Sequence, residues 1–304
     1  MLHGVFDRLL VSAKQWAYVM GLRQAYPSEL DFGWSSSWTR GPLYASLLSL
    51  LGAVVVDTMS VRWWPASALL TILAVSFFAG HLVAVSACSG EHIGLPMVDL
   101  LSSDRDLVLD AGCGAGRTTV ALGRTIKEGR ISAVDLFDAN YIASGGLALL
   151  KRNLRLANLE DRVEIRKGNL VSLPYPDNAF DSAVSAHAFD HLGRAKSKAL
   201  LEMHRVLRPG GRFLMVVWVP SWSMFAIANV LSFMLTPTHH WATLSKGAGL
   251  SIVDNGYFNG HWFLLLEKPG ARNSVDHRPV RGPYAATWSL NDSRTRVASS
   301  RKVA

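Results

Sequence analysis

The sequence predicts an α/β domain built on a parallel sheet, preceded by an apolar helical hairpin. Three observations predict it. The stretch Val108-Leu109-Asp110-Ala111-Gly112-Cys113-Gly114-Ala115-Gly116-Arg117-Thr118-Thr119 joins an apolar run ending in an acid to a glycine-rich turn and then to a helical pattern. A second short apolar run, Ile131-Ser132-Ala133-Val134-Asp135, again ends in an acid. Upstream, Leu43 to Val61 and Pro65 to Val85 are long and almost without charge.

Composition sets the bounds. A chain of 304 residues holds one catalytic-sized domain and an additional segment. The mean hydropathy of +0.19 is more apolar than a single water-exposed domain requires. Two cysteines, Cys88 and Cys113, make no disulfide framework, and no Cys/His spacing suits a structural metal, so none is expected. The net charge of +8 sits mostly in one place: from Lys268 onward eight Lys/Arg face two acids, which leaves +2 for the rest of the chain. That basic tail, residues 269–304, lacks any apolar period and reads as disordered, with contact to anionic lipid as the alternative.

The first segment, residues 1–40, has no uninterrupted apolar region of signal-peptide length. Phe6, Leu9, Leu10, Ala13, Trp16, Ala17 and Met20 recur at helical spacing, which predicts an amphipathic helix lying in a membrane interface or covering the protein's own core. The hairpin, residues 41–90, follows. Its second run is 21 residues without a formal charge, about 30 Å as a helix, enough to span a bilayer. The first run carries Asp57 near its end, next to the Ser60-Val61-Arg62 turn. Trp34, Trp38, Trp63 and Trp64 flank the runs as interfacial anchors do. Two transmembrane helices are therefore expected, against the alternative of a hairpin buried on the domain or on a second subunit. Arg8, Lys14, Arg23 and Arg40 precede the hairpin and Arg62 alone lies in its turn, which favours both flanks on the cytoplasmic side of a multi-pass membrane protein.

The domain proper is expected over residues 91–268, with a lead-in helix at Ile93 to Leu101. A strand, a glycine turn and a helix N-terminus bring free backbone N–H groups to a nucleotide-like ligand. The spacing excludes a dinucleotide fingerprint, because the third glycine is Gly116 where Arg117 would have to be glycine, and no Gly-Lys-Ser/Thr follows. At this stretch the chain resembles the first motif of the class I S-adenosylmethionine-dependent methyltransferases, an acid-ended strand leading into Gly-x-Gly-x-Gly. Asp135, nineteen residues beyond Gly116, stands where an acid hydrogen-bonds ribose hydroxyls and resembles the family's second motif.

The later elements extend the resemblance in order. A helix is expected from about Ile142 to Leu159 and a third strand within Asp161 to Lys167. Gly168-Asn169-Leu170 resembles the family's adenine-edge loop, with Asn169 in place of the usual Asp. Leu136 and Leu170 are placed to sandwich the adenine, or simply to pack in the core. Leu173 to Asp181, a proline-rich turn with an aromatic and acids, runs into a fourth strand, Ser182 to Ala186. Glu202 to Arg212 ends a helix in Pro209-Gly210-Gly211 before a fifth strand, Phe213 to Val219. Both resemble small-molecule methyltransferases of the ubiquinone/menaquinone type. The resemblance implies a Rossmann-like, seven-stranded methyltransferase sheet, with Leu250 to Asn255 and Trp262 to Glu267 as an antiparallel edge pair.

It also implies the cofactor, S-adenosyl-L-methionine, held by Asp110, Gly112, Gly114, Gly116, Asp135, Leu136, Asn169, Leu170 and Ser185. Substrate in such domains meets cofactor beyond the carboxyl end of the fourth strand, which brings in Ser185, His187, Asp190 and His191. A hydroxyl or carbon acid acceptor needs a general base. His187 is the first candidate because an imidazole titrates near neutrality. Asp190 and His191 come next, with helix capping as their alternative, and His204 is expected to be structural.

An Asn-Pro-Pro-Tyr type of sequence is missing at the fourth strand, and no basic, aromatic-interleaved surface stands out, so nucleic acid is not an expected partner. Ser221 to Leu235, apolar and too short to span, reads as a lid, a membrane-surface segment or a core helix. The expected function is transfer of a methyl group to a small lipophilic acceptor at O, N or C, in contact with membrane lipid. The alternative is a cofactor-binding membrane protein without catalysis. Oligomeric state is not readable from the sequence.

Overall fold

The computed structural model describes residues 30–33, 36–59, 61–88, 95–96, 98–139, 142–258 and 260–270. The amphipathic pattern of residues 5–20 and the basic tail lie outside the described residues.

The hairpin is two helices, α1 (Ser36–Met59) and α2 (Trp64–Cys88), joined through a short 3-10 turn, Val61–Trp63. By length and composition Arg40–Met59 and Trp64–Leu82 are each apolar enough to cross a membrane. Their mutual contact is made by small residues. Ser46 Oγ donates to Ala74 O at 2.8 Å, Ser67 Oγ to Ala53 O at 3.3 Å, and Ser46, Ala53 and Ala74 are buried between the helices. The bulky side chains point away: Leu48, Leu51, Ile72 and Val75 are each more than 60% exposed.

The domain is a seven-stranded sheet in the order β3-β2-β1-β4-β5-β7-β6. Its strands are β1 (Leu107–Ala111), β2 (Arg130–Asp135), β3 (Val163–Lys167), β4 (Phe180–Ala186), β5 (Leu207–Val217), β6 (Ser251–Phe258) and β7 (His261–Glu267). The first five are parallel, and β7 runs antiparallel between β5 and β6. β1 is central and buried on both faces, which explains its unbroken apolar run. Its side chains alternate: Val108 joins a core with α3 (Arg117–Thr125) and α4 (Leu147–Leu156), while Leu109 and Ala111 join a core with α5 (Lys196–Val206) on the other face. Two further helices, α6 (Trp222–Ala228) and α7 (Thr238–Gly247), separate β5 from β6.

Three boundaries differ most from the sequence reading. The lead-in helix at 93–101 is not helical where described, at 95–96 and 98–101. Pro96 disfavours a helical Leu95, and the Asp106 carboxylate takes the Ser102 amide and hydroxyl, both at 2.8 Å, into a turn instead. The helix expected from Ile142 begins as a 3-10 turn, Ala143–Gly146, and becomes α-helical only at Leu147. Gly145 and Gly146 are both left-handed, at φ 68° and 91°, and a Cβ on Gly145 would collide with the Phe137 carbonyl. The fifth strand starts earlier, at Leu207, with a register shift where it passes the Pro-Gly-Gly turn.

Candidate active site

The order of the strands reverses between β1 and β4, and the cleft at their carboxyl ends is where an open α/β sheet binds ligands. The glycine turn forms one wall. Gly112, Gly114 and Gly116 take φ of 80°, 50° and 87°. The amides of Gly112 and Cys113 donate to Val134 O at 2.8 and 3.2 Å, which ties the turn to β2. A Cβ on Gly112 would strike Ala188 and one on Gly116 would strike Leu150, so both are glycine for packing reasons. Gly114 differs: a Cβ there meets only Ile142 Cδ1, at 3.4 Å. Its missing side chain leaves room for a ligand to approach the backbone.

Asp135 ends β2 with both oxygens on backbone amides, Oδ2 accepting from Gly114 at 2.9 Å and Oδ1 from Phe137 at 2.8 Å. It therefore fixes the turn at the cleft end of β2. Asp110 lies beneath the turn, fully buried. Its Oδ2 accepts from Thr119 Oγ1 at 2.5 Å, its Oδ1 has no partner among the described residues, and burial pushes its carboxyl up to about 7. Leu136 is exposed at the rim, whereas Leu170 is buried in the core. Asn169 is exposed, and its Oδ1 caps its own loop through the Val171 amide at 3.1 Å.

Ser185 needs a correction. Its hydroxyl donates to Ala111 O at 2.6 Å and the residue is 1% exposed, so it clips β4 to β1 and offers nothing to the cleft.

The opposite wall begins at His187, directly after β4, held at φ 65° by its amide bond to Val216 O at 2.8 Å. Its Nδ1 lies 3.3 Å from Asp190 Oδ2. Both Asp190 oxygens accept from the Trp218 amide, at 3.2 and 3.1 Å, so the end of β5 aims this carboxylate at the imidazole. The His187 ring packs against Trp218 and His261, with centroids 4.8 and 4.6 Å away, and Trp218 and His261 are 4.2 Å apart. His191 is exposed one turn further on. His204 lies on α5 beside Gly249, away from this cluster.

Burial and then the Arg117 and His191 charges push the His187 imidazole down to about 3. Burial, His187 and Arg117 do the same to His261, also to about 3. Burial raises Asp190 to about 7 against the Trp218 amide, which favours its ionised form. At neutral pH both rings are therefore uncharged, and burial leaves each a weaker base than a free imidazole. This corrects the expectation that His187 titrates near neutrality.

Three residues of the wall escaped sequence reading. Arg117 had served only to exclude a dinucleotide fold, yet it starts α3 with its guanidinium over the Phe32 ring at 5.4 Å, and its charge reaches both histidines. Trp218 and His261 arrive from β5 and β7. The signal for them existed, because an antiparallel β7 beside β5 brings the start of one to the end of the other, as the Val217–Trp262 pairing does.

A doubly wound sheet with an acid-ended β2 and a glycine turn open at Gly114 is an arrangement that a nucleotide-like cofactor fits. Comparison with known proteins narrows this. Residues 109–215 match the family described as "Methyltransferase domain". "Methyltransferase GfsG" of Streptomyces halstedii is 26% identical over 76% of this chain and 71% of its own length. A demethylmenaquinone methyltransferase of Symbiobacterium thermophilum is 31% identical over 47% of this chain and 55% of its own length. A SAM-dependent methyltransferase structure from Aquifex aeolicus aligns at TM-score 0.46 and 19% identity, covering 54% of this chain and 82% of that one. Apart from the Streptomyces protein, the chain spans about half or less of the first relatives it matches. Over these residues the chain is similar to methyltransferases, the quinone methyltransferases among them, which supports S-adenosyl-L-methionine as the cofactor.

Proposed function

We propose that the whole chain is a membrane-anchored methyltransferase that moves a methyl group from S-adenosylmethionine to a small, lipophilic acceptor on the cytoplasmic side. The organisation that goes with this is an amphipathic segment (1–40), a transmembrane hairpin (41–90), the methyltransferase domain (91–268) and a basic tail (269–304). Support for the anchor comes from the outward-facing Leu48, Leu51, Ile72 and Val75, which a hairpin buried on its own domain would hide. The likeness to demethylmenaquinone methyltransferases supports a lipophilic acceptor.

The observation that carries the catalytic reading is the His187–Asp190 pair just past β4, whose neighbour Ala188 packs on Gly112 of the glycine turn. S-adenosylmethionine, when bound, supplies a methyl carbon made electrophilic by a sulfonium leaving group. The residues to hold it are Asp135, Leu136 and Asn169 around the Gly112–Gly116 turn, with Asp110 and Leu170 supporting that turn from below. Transfer then depends on alignment near van der Waals contact. His187 Nε2 takes the proton of an acceptor O–H or acidic C–H, and ionised Asp190 accepts the Nδ1 hydrogen and holds the tautomer. The proton leaves to solvent past His191, which is exposed at the rim. Trp218 and His261 exclude water from the ring faces.

The test is transfer of labelled methyl from S-adenosylmethionine into a lipid extract of cells lacking the chain. Label in a lipid-soluble product that disappears with His187→Ala is the expected result. Label confined to water-soluble products overturns the lipophilic acceptor, and no label at all with cofactor still bound overturns catalysis.

A further inference from the structure

Outside the hairpin, eight large apolar side chains stand exposed among the described residues, and four of them belong to one short stretch: Trp222, Leu231, Phe233 and Met234, at 61–88% exposure. The stretch comprises α6 and the 3-10 turn Asn229–Met234 that follows it. From Phe213 to Ser245 the sequence carries no Lys, Arg, Asp or Glu.

This stretch packs on α2. At the contact Asn229, 5% exposed, donates from Nδ2 to Ser76 Oγ at 3.2 Å. Ser76 is the middle residue of the 25 in α2, so it lies about 18 Å from either end of that helix. A segment fastened there runs beside the central part of α2 and not beside its end. Its polar groups are closed on one another. Ser221 Oγ accepts from the Met224 amide at 3.2 Å, the Asn229 amide bonds to Phe225 O, and Ser232 Oγ donates to Asn229 O at 2.7 Å. Irregular backbone survives in hydrocarbon only when satisfied and supported in this way.

We infer that α6 and Asn229–Met234 form a third membrane-embedded element, re-entrant from the domain side and seated on α2, with bilayer acyl chains covering its outer face. The inference rests on the reading that α1 and α2 cross the membrane, and its apolar face is continuous with theirs. Because Trp218 of the active-site wall stands four residues before α6, the face leads from hydrocarbon to the cleft. It gives a lipid-dissolved acceptor a route to His187 without passage through water.

Depth measured by nitroxide accessibility tests this on the full chain in phosphatidylcholine/phosphatidylglycerol vesicles. Labels go on Leu231→Cys, Phe233→Cys, Ile72→Cys of the α2 outer face, and Leu201→Cys as an exposed control on the domain, all with Cys88→Ser. Cys113 is buried and stays unlabelled. The expected result is loss of broadening by a water-soluble nickel chelate at 231, 233 and 72, with oxygen broadening retained, and full nickel broadening at 201. Nickel broadening at 231 and 233 with none at 72 overturns the re-entrant element while leaving the hairpin in the bilayer. Nickel broadening at 72 as well overturns the membrane reading on which the inference rests.

Discussion

The hairpin and the sheet are both apolar, and they put their apolar side chains in opposite places. In β1, Val108, Leu109 and Ala111 are fully buried and flanked by core on both faces. In α1 and α2 the large residues face outward and the buried positions are Ser46, Ala53 and Ala74. The first pattern follows from water as solvent, and the second is the one that close packing of small residues gives in a medium as apolar as leucine, as the proposed membrane anchor requires. The difference teaches that composition alone does not say where a core is; the size of the buried residue does.

Changes at the sheet should act through ligand and chemistry, and changes at the hairpin through solvent. The largest expected effect is loss of cofactor binding in Gly114→Val, with a stability loss from the φ of 50° alone, since the Cβ itself meets no clash. Gly112→Val should lose binding and stability together, since its Cβ strikes Ala188. Titration calorimetry alongside thermal unfolding separates the two, and equal unfolding losses would remove the distinction.

Next comes the His187–Asp190 pair. His187→Ala should lower turnover by something like 10²–10⁴-fold without weakening cofactor binding, if the acceptor is a hydroxyl or carbon acid. Because His187 is held near 3, the limb of the pH–rate profile near 7 belongs to Asp190. Asp190→Asn should therefore abolish that limb and His187→Ala should leave it. The same pair has opposed effects on stability. Asp190, raised from 3.8 to about 7, contributes stability that is lost as pH rises through that interval. His187, lowered from 6.5 to about 3, contributes stability that is lost as pH falls through its own. They offset each other between about pH 4 and 6.5. Relative to wild type, His187→Ala should then slope downward with pH over that window and Asp190→Asn upward, as denaturant titrations at several pH values will read.

Smaller effects test the comparison itself. Leu109→Ala should cost about 3 kcal/mol by opening a cavity between strands and helices. Leu48→Ala, at 70% exposure, should cost within about 0.5 kcal/mol in detergent. Ile72→Arg sharpens the contrast, with about 3 kcal/mol expected in a bilayer and almost none in water. Tyr175→Phe, which removes the 2.7 Å bond to Ser132 Oγ, should fall between Leu109→Ala and Leu48→Ala, at about 1 kcal/mol in equilibrium unfolding.

What the sequence made legible was local. The glycine turn and Asp135 are read from spacing within some thirty residues, and in the structure the two meet, the Gly114 amide donating to Asp135. His187 was reachable because it follows a strand whose end is the expected substrate side. Ser185 was misread because strand position says which residues reach the cleft end but not that a hydroxyl is consumed by the neighbouring strand. Arg117, Trp218 and His261 were missed because their meeting depends on pairings between distant segments. The lead-in helix failed on a single proline and a Ser–Asp turn, and the late start of α4 on two adjacent left-handed glycines, each a local rule outweighed by apolar periodicity.

The insertion of β7 between β5 and β6 has a consequence for the nascent chain. His187 and His261 touch although 74 residues separate them, and the strand that joins them is the last of the sheet to leave the ribosome. Such non-local pairing is slow to form and comes late in folding. The hairpin, by contrast, is synthesised first and closes on near neighbours. The wall at His187 is thereby completed last: its rings meet only when the final hairpin of the sheet is in place.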